Sequence, residues 1–243
     1  MDGYIIMRSP SQLIAIVITY FIFVFKLGPW LMKNRQPFDL KIVVVLYNLS
    51  QIIWNFVTFM QLASHFSHFS IFCSEVENSN YELGIIFARL HYTYVLMKIY
   101  DFVDTVLFVL RKKSQQISFL HLYHHSMIFF CSWISGKYFP GGHSYYLTLA
   151  NTLIHSLMYS YYLFTCCNST YARNSPIKRH VTLLQIIQLV LVLLIYFLAL
   201  INPRCSYPKY FLVFSSWNFL IMIFLFSKLY IETYATTTKV KDK

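Results

Sequence analysis

The sequence predicts an all-α polytopic membrane protein with seven transmembrane helices, and three observations support this fold class. Of the 243 residues, 57% are hydrophobic and 19% aromatic, whereas only 12% are charged. The mean hydropathy of +0.52 is well above that of an ordinary soluble domain. Apolar stretches long enough to cross a bilayer, about 20 residues each, recur along the chain. They lie near 12–31, 42–62, 85–110, 117–133, 145–166, 181–201 and 210–230.

The segments between these stretches are short, so we expect a single membrane domain over residues 1–243. Basic residues collect on the cytosolic side of membrane proteins. Assigning the 20 Lys and Arg residues to alternate sides places 14 on one side and 5 on the other, with Lys98 inside a span. This alternation predicts a lumenal or external N-terminus and a cytosolic C-terminus. The net charge of +11 is therefore mainly a topology signal, and we expect no nucleic-acid partner.

Cysteine usage adds one structural expectation. Cys73 and Cys205 both fall on the non-cytosolic side of this topology, where disulfides persist, so we predict that they pair. Five scattered cysteines do not form a zinc motif. The sequon at 168–170 falls in a loop assigned to the cytosol, and we expect it to be unglycosylated.

The third span carries ionisable side chains, which are candidates for function because a charge at the bilayer centre costs about 3 kcal/mol. Its segment KIYDFVDT places Lys98, Asp101, Asp104 and Thr105 at helical spacing on one face. A salt-bridge set that only joins helices would show the same residues.

The next three spans carry polar faces as well. The fourth contains FLHLYHH, with His121, His124 and His125 at i, i+3 and i+4. The fifth contains NTLIHSLMYSYY, in which five side chains follow helical spacing: Asn151, His155, Met158, Tyr159 and Tyr162. The sixth begins HVTLLQIIQ, in which three polar side chains repeat every three residues: Thr182, Gln185 and Gln188. Amides such as those of the sixth span also serve as hydrogen-bond links between membrane helices. Four consecutive polar faces predict a shared interior chamber.

Two chemistries suit clustered histidines in such a chamber. Imidazole is a typical iron ligand of membrane oxygenases and desaturases, but a di-iron centre needs further closely spaced His clusters. We keep that class as the alternative and assign no metal ligand. Imidazoles with a pKa near the ordinary value of about 6.5 also serve as nucleophile, base and hydrogen-bond donor in acyl transfer. A seven-helix transporter or receptor is the non-enzyme alternative, because it also carries polar residues in its spans.

Together these segments resemble the very-long-chain fatty acid elongase family, the membrane 3-ketoacyl-CoA synthases. The family pattern KxxExxDT resembles residues 98–105, HxxHH matches 121–125, NxxxHxxMYxYY matches 151–162 and TxxQxxQ matches 182–188. The early GPWLMKNRQPFDLKIVVVLYN and the late CSYPKYF are also similar to family segments, so the resemblance covers essentially the whole chain. Asp101 stands where the family has Glu, which sets that carboxylate back by one methylene.

The resemblance implies seven helices, with six forming a barrel of two inverted three-helix units around the remaining one and an acyl tunnel closed toward the lumen. It implies condensation of a long-chain acyl-CoA with malonyl-CoA in the endoplasmic reticulum, giving a 3-oxoacyl-CoA, carbon dioxide and CoA, with no cofactor. The terminal KVKDK at residues 239–243 fits a dilysine-type retrieval signal. The implied partners are the other enzymes of the elongation cycle. Whether the protein forms a homodimer, and which acyl chain length and degree of unsaturation it prefers, remain open.

For this reaction we expect an acyl-histidine intermediate on His124, with His155 as the rival nucleophile. Asp104 is expected to orient a histidine, and Asn151, His155 or His125 to stabilise negative charge on the thioester oxygen. The sequence does not rank the histidines, and His121 remains a further catalytic candidate. The anionic CoA is expected at the basic cytosolic mouth. The expected substrate-binding residues are Lys98, Arg111, Lys113, Gln116, His121, Tyr161, Lys178 and Thr182.

Overall fold

The computed structural model describes residues 4–76, 82–168 and 176–235, and helices make up most of this part of the chain. The predicted retrieval signal at 239–243 and residues 169–170 of the sequon lie outside the described residues. The all-α class is confirmed. The α-helices are α1 (Pro10–Ile22), α2 (Gly28–Met32), α3 (Lys41–Ala63), α4 (Glu82–Tyr100), α5 (Phe102–Leu110), α6 (Phe119–Tyr138), α7 (Ser144–Cys167), α8 (Pro176–Ile201) and α9 (Lys209–Tyr230).

Four helical segments among the described residues are long and apolar enough to cross a membrane, and they coincide with the first, second, sixth and seventh predicted spans. These segments are Pro10–Met32, Lys41–Ala63, Ile177–Ile201 and Lys209–Tyr234. The other three predicted spans are helical too, as α4 with α5, α6 and α7, but histidines, amides and hydroxyls make them less apolar. The protein is thus a multi-pass membrane protein, and the seven-helix barrel stays a prediction.

The long helices expose apolar side chains and bury polar ones, as α3 illustrates. Leu46, Ile53 and Phe56 are about half exposed, whereas Gln51 and Asn55 are fully buried. This pattern is the reverse of a helix on a water-soluble protein. It suits a lipid environment, where the helix satisfies its own backbone and polar side chains turn toward protein.

The chain divides into two compact units. The first comprises Met1–Val43 and Val76–Ser144 and contains α1, α2, α4, α5 and α6. Its core includes Val95, Phe129 and Trp133, all almost fully buried. The indole Nε1 of Trp133 donates to the carbonyl oxygen of Ile6 at 2.7 Å, which ties the N-terminal segment to α6.

The second unit comprises Val44–Glu75 and Tyr145–Lys243 and contains most of α3 and α7 together with α8 and α9. A disulfide joins Cys73 to Cys205, the pair that the sequence predicts. Helices α8 and α9 pack along each other. The Tyr145 hydroxyl donates to the carbonyl oxygen of Leu62 at 2.8 Å, which links α7 to the C-terminal end of α3.

Candidate active site

The third predicted span is broken at Asp101, which lies in a turn between α4 and α5. Lys98 Nζ donates to Asp101 Oδ2 at 2.8 Å, and the two side chains are 0% and 1% exposed. The same ammonium lies 4.9 Å from the centroid of the Tyr94 ring. Pairing offsets the cost of burying two charges away from water. The 2.8 Å distance shows that the Asp101 side chain, although one methylene shorter than Glu, reaches Lys98.

The three histidines of α6 lie on one face, as the spacing predicts. The ring centroids of His121 and His125 are 4.2 Å apart, and those of His124 and His125 are 5.4 Å apart. His125 is buried, whereas the other two are partly buried. The helix begins just before them because Ser118 caps it, its hydroxyl accepting from the amide nitrogen of His121 at 3.2 Å.

A hydroxyl network reaches this face from two other helices of the same unit. Thr105 Oγ1 lies 2.8 Å from His121 Nε2 and 2.9 Å from the Tyr20 hydroxyl. Thr105 is fully buried and Tyr20 is 5% exposed. A hydroxyl can donate to one neighbour and accept from another, so Thr105 can hold the His121 ring in one orientation. The role expected of the partly buried Asp104 stays a prediction.

Tyr20 was not a candidate in the sequence. It is the single tyrosine of the apolar first span, and no polar spacing draws attention to it. Its ring stacks on Phe102 with centroids 4.1 Å apart, which places the hydroxyl at Thr105. Only the packing of α1 against α5 reveals the contact.

The expected CoA-binding residues of the first unit lie in the segment that joins α5 to α6. Arg111 is at the C-terminal cap of α5, and Gln116 ends the 3₁₀ turn Ser114–Gln116. The side chains of Lys113 and Gln116 are exposed, and that of Arg111 is partly exposed. Basic and amide side chains that precede His121 by a few residues in the sequence are thus accessible to an anion.

In the second unit, α7 buries the face that carries the fifth-span motif. Asn151 and His155 are each 4% exposed and Tyr159 is 0% exposed, whereas Leu153 and Leu157 lie on the exposed side. The rings of His155 and Tyr159 meet edge to face with centroids 5.8 Å apart. The motif therefore presents one continuous polar face to the interior of its unit.

This face contacts polar residues of α3 that sequence reasoning missed. Gln51 Nε2 donates to the Tyr47 hydroxyl at 2.8 Å and to the Tyr159 hydroxyl at 3.4 Å. Asn55 Nδ2 donates to Gln51 Oε1 at 3.1 Å. Tyr47, Gln51 and Asn55 recur every four residues, a spacing that would have identified a polar stripe in this apolar span.

The remaining expected substrate residues also belong to the second unit. Lys178 is exposed near the start of α8. Thr182 is buried, and its hydroxyl donates to the carbonyl oxygen of Lys178 at 3.0 Å. Tyr161 is buried as well. Gln185 Nε2 donates to the Met158 sulfur at 3.3 Å, which fits the role of a link between helices. Within the described ranges, no group of three or more His, Cys, Asp or Glu has an arrangement that could hold a metal.

Comparison with known proteins gives a consistent result. The family described as "ELO: GNS1/SUR4 family" matches residues 5–242. A very long chain fatty acid elongase of Aedes aegypti is 33% identical over 96% of this chain and 66% of its own length. Human very long chain fatty acid elongase 4 is 34% identical over 99% of this chain and 76% of its own. Mouse very long chain fatty acid elongase 1 is 32% identical over 96% of this chain and 85% of its own length. This chain spans just under two thirds of the mosquito protein's length.

Proposed function

This chain belongs to the ELO (GNS1/SUR4) family, and we propose that it elongates fatty acids by condensing a long-chain acyl-CoA with malonyl-CoA. The products are a 3-oxoacyl-CoA, carbon dioxide and CoA. The observation that supports this function best is the contiguous face of His121, His124 and His125 on α6, with Thr105 in contact with the first ring. The similar proteins named as fatty acid elongases support the same activity.

The proposal includes seven membrane crossings in the endoplasmic reticulum, with the barrel arrangement implied by the family, a lumenal N-terminus and a cytosolic C-terminus. The uneven distribution of Lys and Arg supports this orientation. The Cys73–Cys205 disulfide supports it independently, because disulfides persist in the oxidising lumen. The other enzymes of the elongation cycle are the proposed partners.

In the first half-reaction a neutral imidazole nitrogen attacks the carbonyl carbon of the acyl thioester. The new N–C bond forms, the C–S bond breaks, and CoA leaves as a thiolate. The proton lost from the imidazole neutralises that thiolate, so the products are an acyl-histidine and free CoA. His124 is the proposed nucleophile and His155 its rival, and each lies in a polar face of its own unit.

In the second half-reaction malonyl-CoA loses carbon dioxide, and the electrons of the broken C–C bond remain as an enolate. The enolate carbon attacks the acyl carbon, and the bond from that carbon to the ring nitrogen breaks. The ring nitrogen regains its electron pair and takes up a proton. Because loss of carbon dioxide generates the carbanion, the site needs no strong base, which suits a site of imidazoles and amides.

Negative charge develops on the acyl oxygen in both halves. Each preorganised donor aimed at that oxygen contributes about 3 kcal/mol to transition-state stabilisation. For an acyl group on His124 the neighbouring donor of the same face is His125, and for one on His155 it is Asn151. The exposed Lys113 and the partly exposed Arg111 are proposed to bind the phosphates of CoA, Arg111 with its bidentate guanidinium.

The test is to incubate the purified full-length chain with stearoyl-CoA alone and then to measure intact and peptide masses. We expect a mass increase equal to one acyl group, located on His124 or His155. Addition of malonyl-CoA should discharge the adduct and release 3-oxoacyl-CoA and carbon dioxide. The variants His124→Gln and His155→Gln identify the acylated ring. The matched control is His68→Gln, because His68 is an exposed histidine at the end of the 3₁₀ turn Phe66–His68.

The outcomes separate the activity from its mechanism. Full condensing activity without an adduct on any residue would remove the acyl-histidine route and leave the elongase function. No condensation with any acyl-CoA from medium to very long chain length would contradict the function itself.

A further inference from the structure

A tyrosine at the end of α9 holds an arginine at the start of α8 in the second unit. Arg179 Nε donates to the Tyr230 hydroxyl oxygen at 2.6 Å. The guanidinium carbon also lies 5.6 Å from the centroid of the Tyr230 ring, within the range of a cation–π contact. Arg179 lies in the first turn of α8 and Tyr230 is the last residue of α9, so these contacts join the ends of two helices that pack along each other.

The two contacts restrict the guanidinium of Arg179. A long arginine side chain loses rotamer entropy whenever it is held in one geometry. Tyr230 imposes part of this loss before a ligand arrives, because it contacts both the Nε edge and the face of the guanidinium. Arg179 is therefore preorganised for binding, which raises the affinity for any ligand that it contacts.

The outer edge of the same guanidinium is directed away from this hydrogen bond. The contact with Tyr230 uses the Nε hydrogen, one of five N–H donors in a rigid planar group. Tyr230 is the only hydrogen-bond partner of Arg179 among residues 4–76, 82–168 and 176–235. The two Nη atoms match the oxygens of a phosphate or carboxylate, to which they donate two parallel hydrogen bonds. Because the side chain is exposed, such an anion can reach it.

Arg179 and its neighbour Lys178 bring two positive charges to this position. Both side chains are exposed, and neither forms an ion pair with a carboxylate of the described residues. Cations in the first turn of a helix are repelled by the positive end of its dipole. A bound anion would offset this repulsion and the repulsion between the two side chains.

A nearby cation of α9 behaves differently. Lys228 Nζ lies 3.8 Å from Glu232 Oε1, so a carboxylate of the chain compensates its charge. A need for positive charge on the cytosolic side would be met by paired and unpaired cations alike. It does not explain why a tyrosine holds Arg179 with its outer edge toward solvent, and this arrangement favours a phosphate ligand.

We propose that Arg179 and Lys178 bind the 3′-phosphate of CoA, and that Tyr230 is the positioning residue that holds Arg179 for this contact. The inference rests on the proposed function, which brings acyl-CoA and malonyl-CoA to the protein. A phosphomonoester carries a charge of about −1.5 to −2 at neutral pH and three acceptor oxygens, which match two cations and an arginine fork. Both substrates carry this phosphate, so the contact serves both half-reactions without touching the reacting atoms.

The test compares the binding of CoA with that of 3′-dephospho-CoA, which lacks this phosphate. The Kd values are measured by isothermal titration calorimetry on the purified full-length chain in detergent, and neither ligand is consumed. The unsubstituted chain should bind dephospho-CoA about tenfold more weakly than CoA. Arg179→Ala should weaken CoA binding about tenfold but dephospho-CoA binding by less than about twofold, because the partner of the guanidinium is then already missing.

Three further variants separate geometry from charge. Arg179→Lys keeps the charge but not the fork, and Tyr230→Phe keeps the ring but not the hydroxyl that accepts from Nε; each should weaken CoA binding about threefold and spare dephospho-CoA. The matched control is Lys228→Gln, which removes an exposed positive charge two residues from Tyr230 and should change either Kd by less than about twofold. Unfolding temperatures are measured in parallel, since a merely structural tyrosine would affect both ligands equally.

A phosphomonoester lipid offers the same chemistry as the 3′-phosphate. The titrations are therefore repeated in nanodiscs of phosphatidylcholine, with and without phosphatidic acid, and bound lipid is measured by native mass spectrometry. We expect the same discrimination against dephospho-CoA in pure phosphatidylcholine. If Arg179→Ala lowered the binding of phosphatidic acid and left the Kd for CoA unchanged, the lipid would be the ligand and the inference would be overturned.

Two other results would overturn it and leave the proposed function intact. One is an equal loss of affinity for CoA and dephospho-CoA in Arg179→Ala, and the other is a loss of the same size in Lys228→Gln. In steady-state kinetics Arg179→Ala should raise the KM for both substrates at nearly constant kcat. An unsubstituted chain that discriminates between the two ligands but condenses no acyl-CoA would contradict the proposed function and not this site.

Discussion

Replacing Asp101 with Asn should destabilise the protein strongly, because it removes a buried countercharge. The carboxylate lies 2.8 Å from the ammonium of Lys98, and both side chains are almost fully shielded from solvent. Removing one partner of such a pair costs about 3–5 kcal/mol, since the other charge stays in a medium that solvates it poorly. At about 2–4 °C per kcal/mol for a chain of this size, the unfolding temperature should fall by roughly 10 °C.

The assay is thermal unfolding of the purified protein in detergent, followed by intrinsic fluorescence. Asp101→Glu is the conservative control, because it keeps the charge and restores the residue of the family pattern. The double variant Lys98→Met/Asp101→Leu removes both charges and should recover most of the lost stability. We expect the double variant to be inactive, since the sequence predicts that Lys98 binds substrate. An unfolding temperature of Asp101→Asn equal to that of the parent would refute the argument.

Three further predictions concern other contacts. Replacing both Cys73 and Cys205 with Ser should lower the free energy of unfolding by about 3 kcal/mol, because the bond closes a loop of 132 residues; unchanged denaturant curves would contradict this. Thr105→Val removes the hydroxyl that contacts His121 and should lower kcat roughly tenfold with little change in unfolding temperature, whereas unaltered kinetics would show that the contact is dispensable. Arg111→Ala should raise the KM for acyl-CoA about tenfold at nearly constant kcat and weaken its salt dependence; an unchanged KM would place the phosphates elsewhere.

Local spacing was sufficient for much of the fold and part of the site. The helical positions of the predicted spans follow from runs of apolar residues, and the histidine face of α6 follows from the separation of its members. Topology arguments also identified the cysteine pair. Hydropathy was less informative for α6 and α7, because the polar residues that give these helices their interest also make them look less like membrane spans.

The break at Asp101 illustrates what spacing alone does not show. The sequence suggests one continuous face from Lys98 to Thr105, but α4 ends at Tyr100 and α5 begins at Phe102. Lys98 therefore lies on α4 and pairs with Asp101 in the turn, whereas Thr105 lies on α5 and contacts His121 of α6.

The sequence by itself determined that this is a multi-pass helical membrane protein and which helix faces carry its histidines, because hydropathy and helical spacing are local properties. Only the tertiary structure decided which polar groups meet. Tyr20 reaches Thr105 across 85 residues, and Tyr47 reaches Tyr159 across 112. Such contacts depend on how two helices pack and align, and that packing is set by many side chains together, so no short stretch of the chain encodes it.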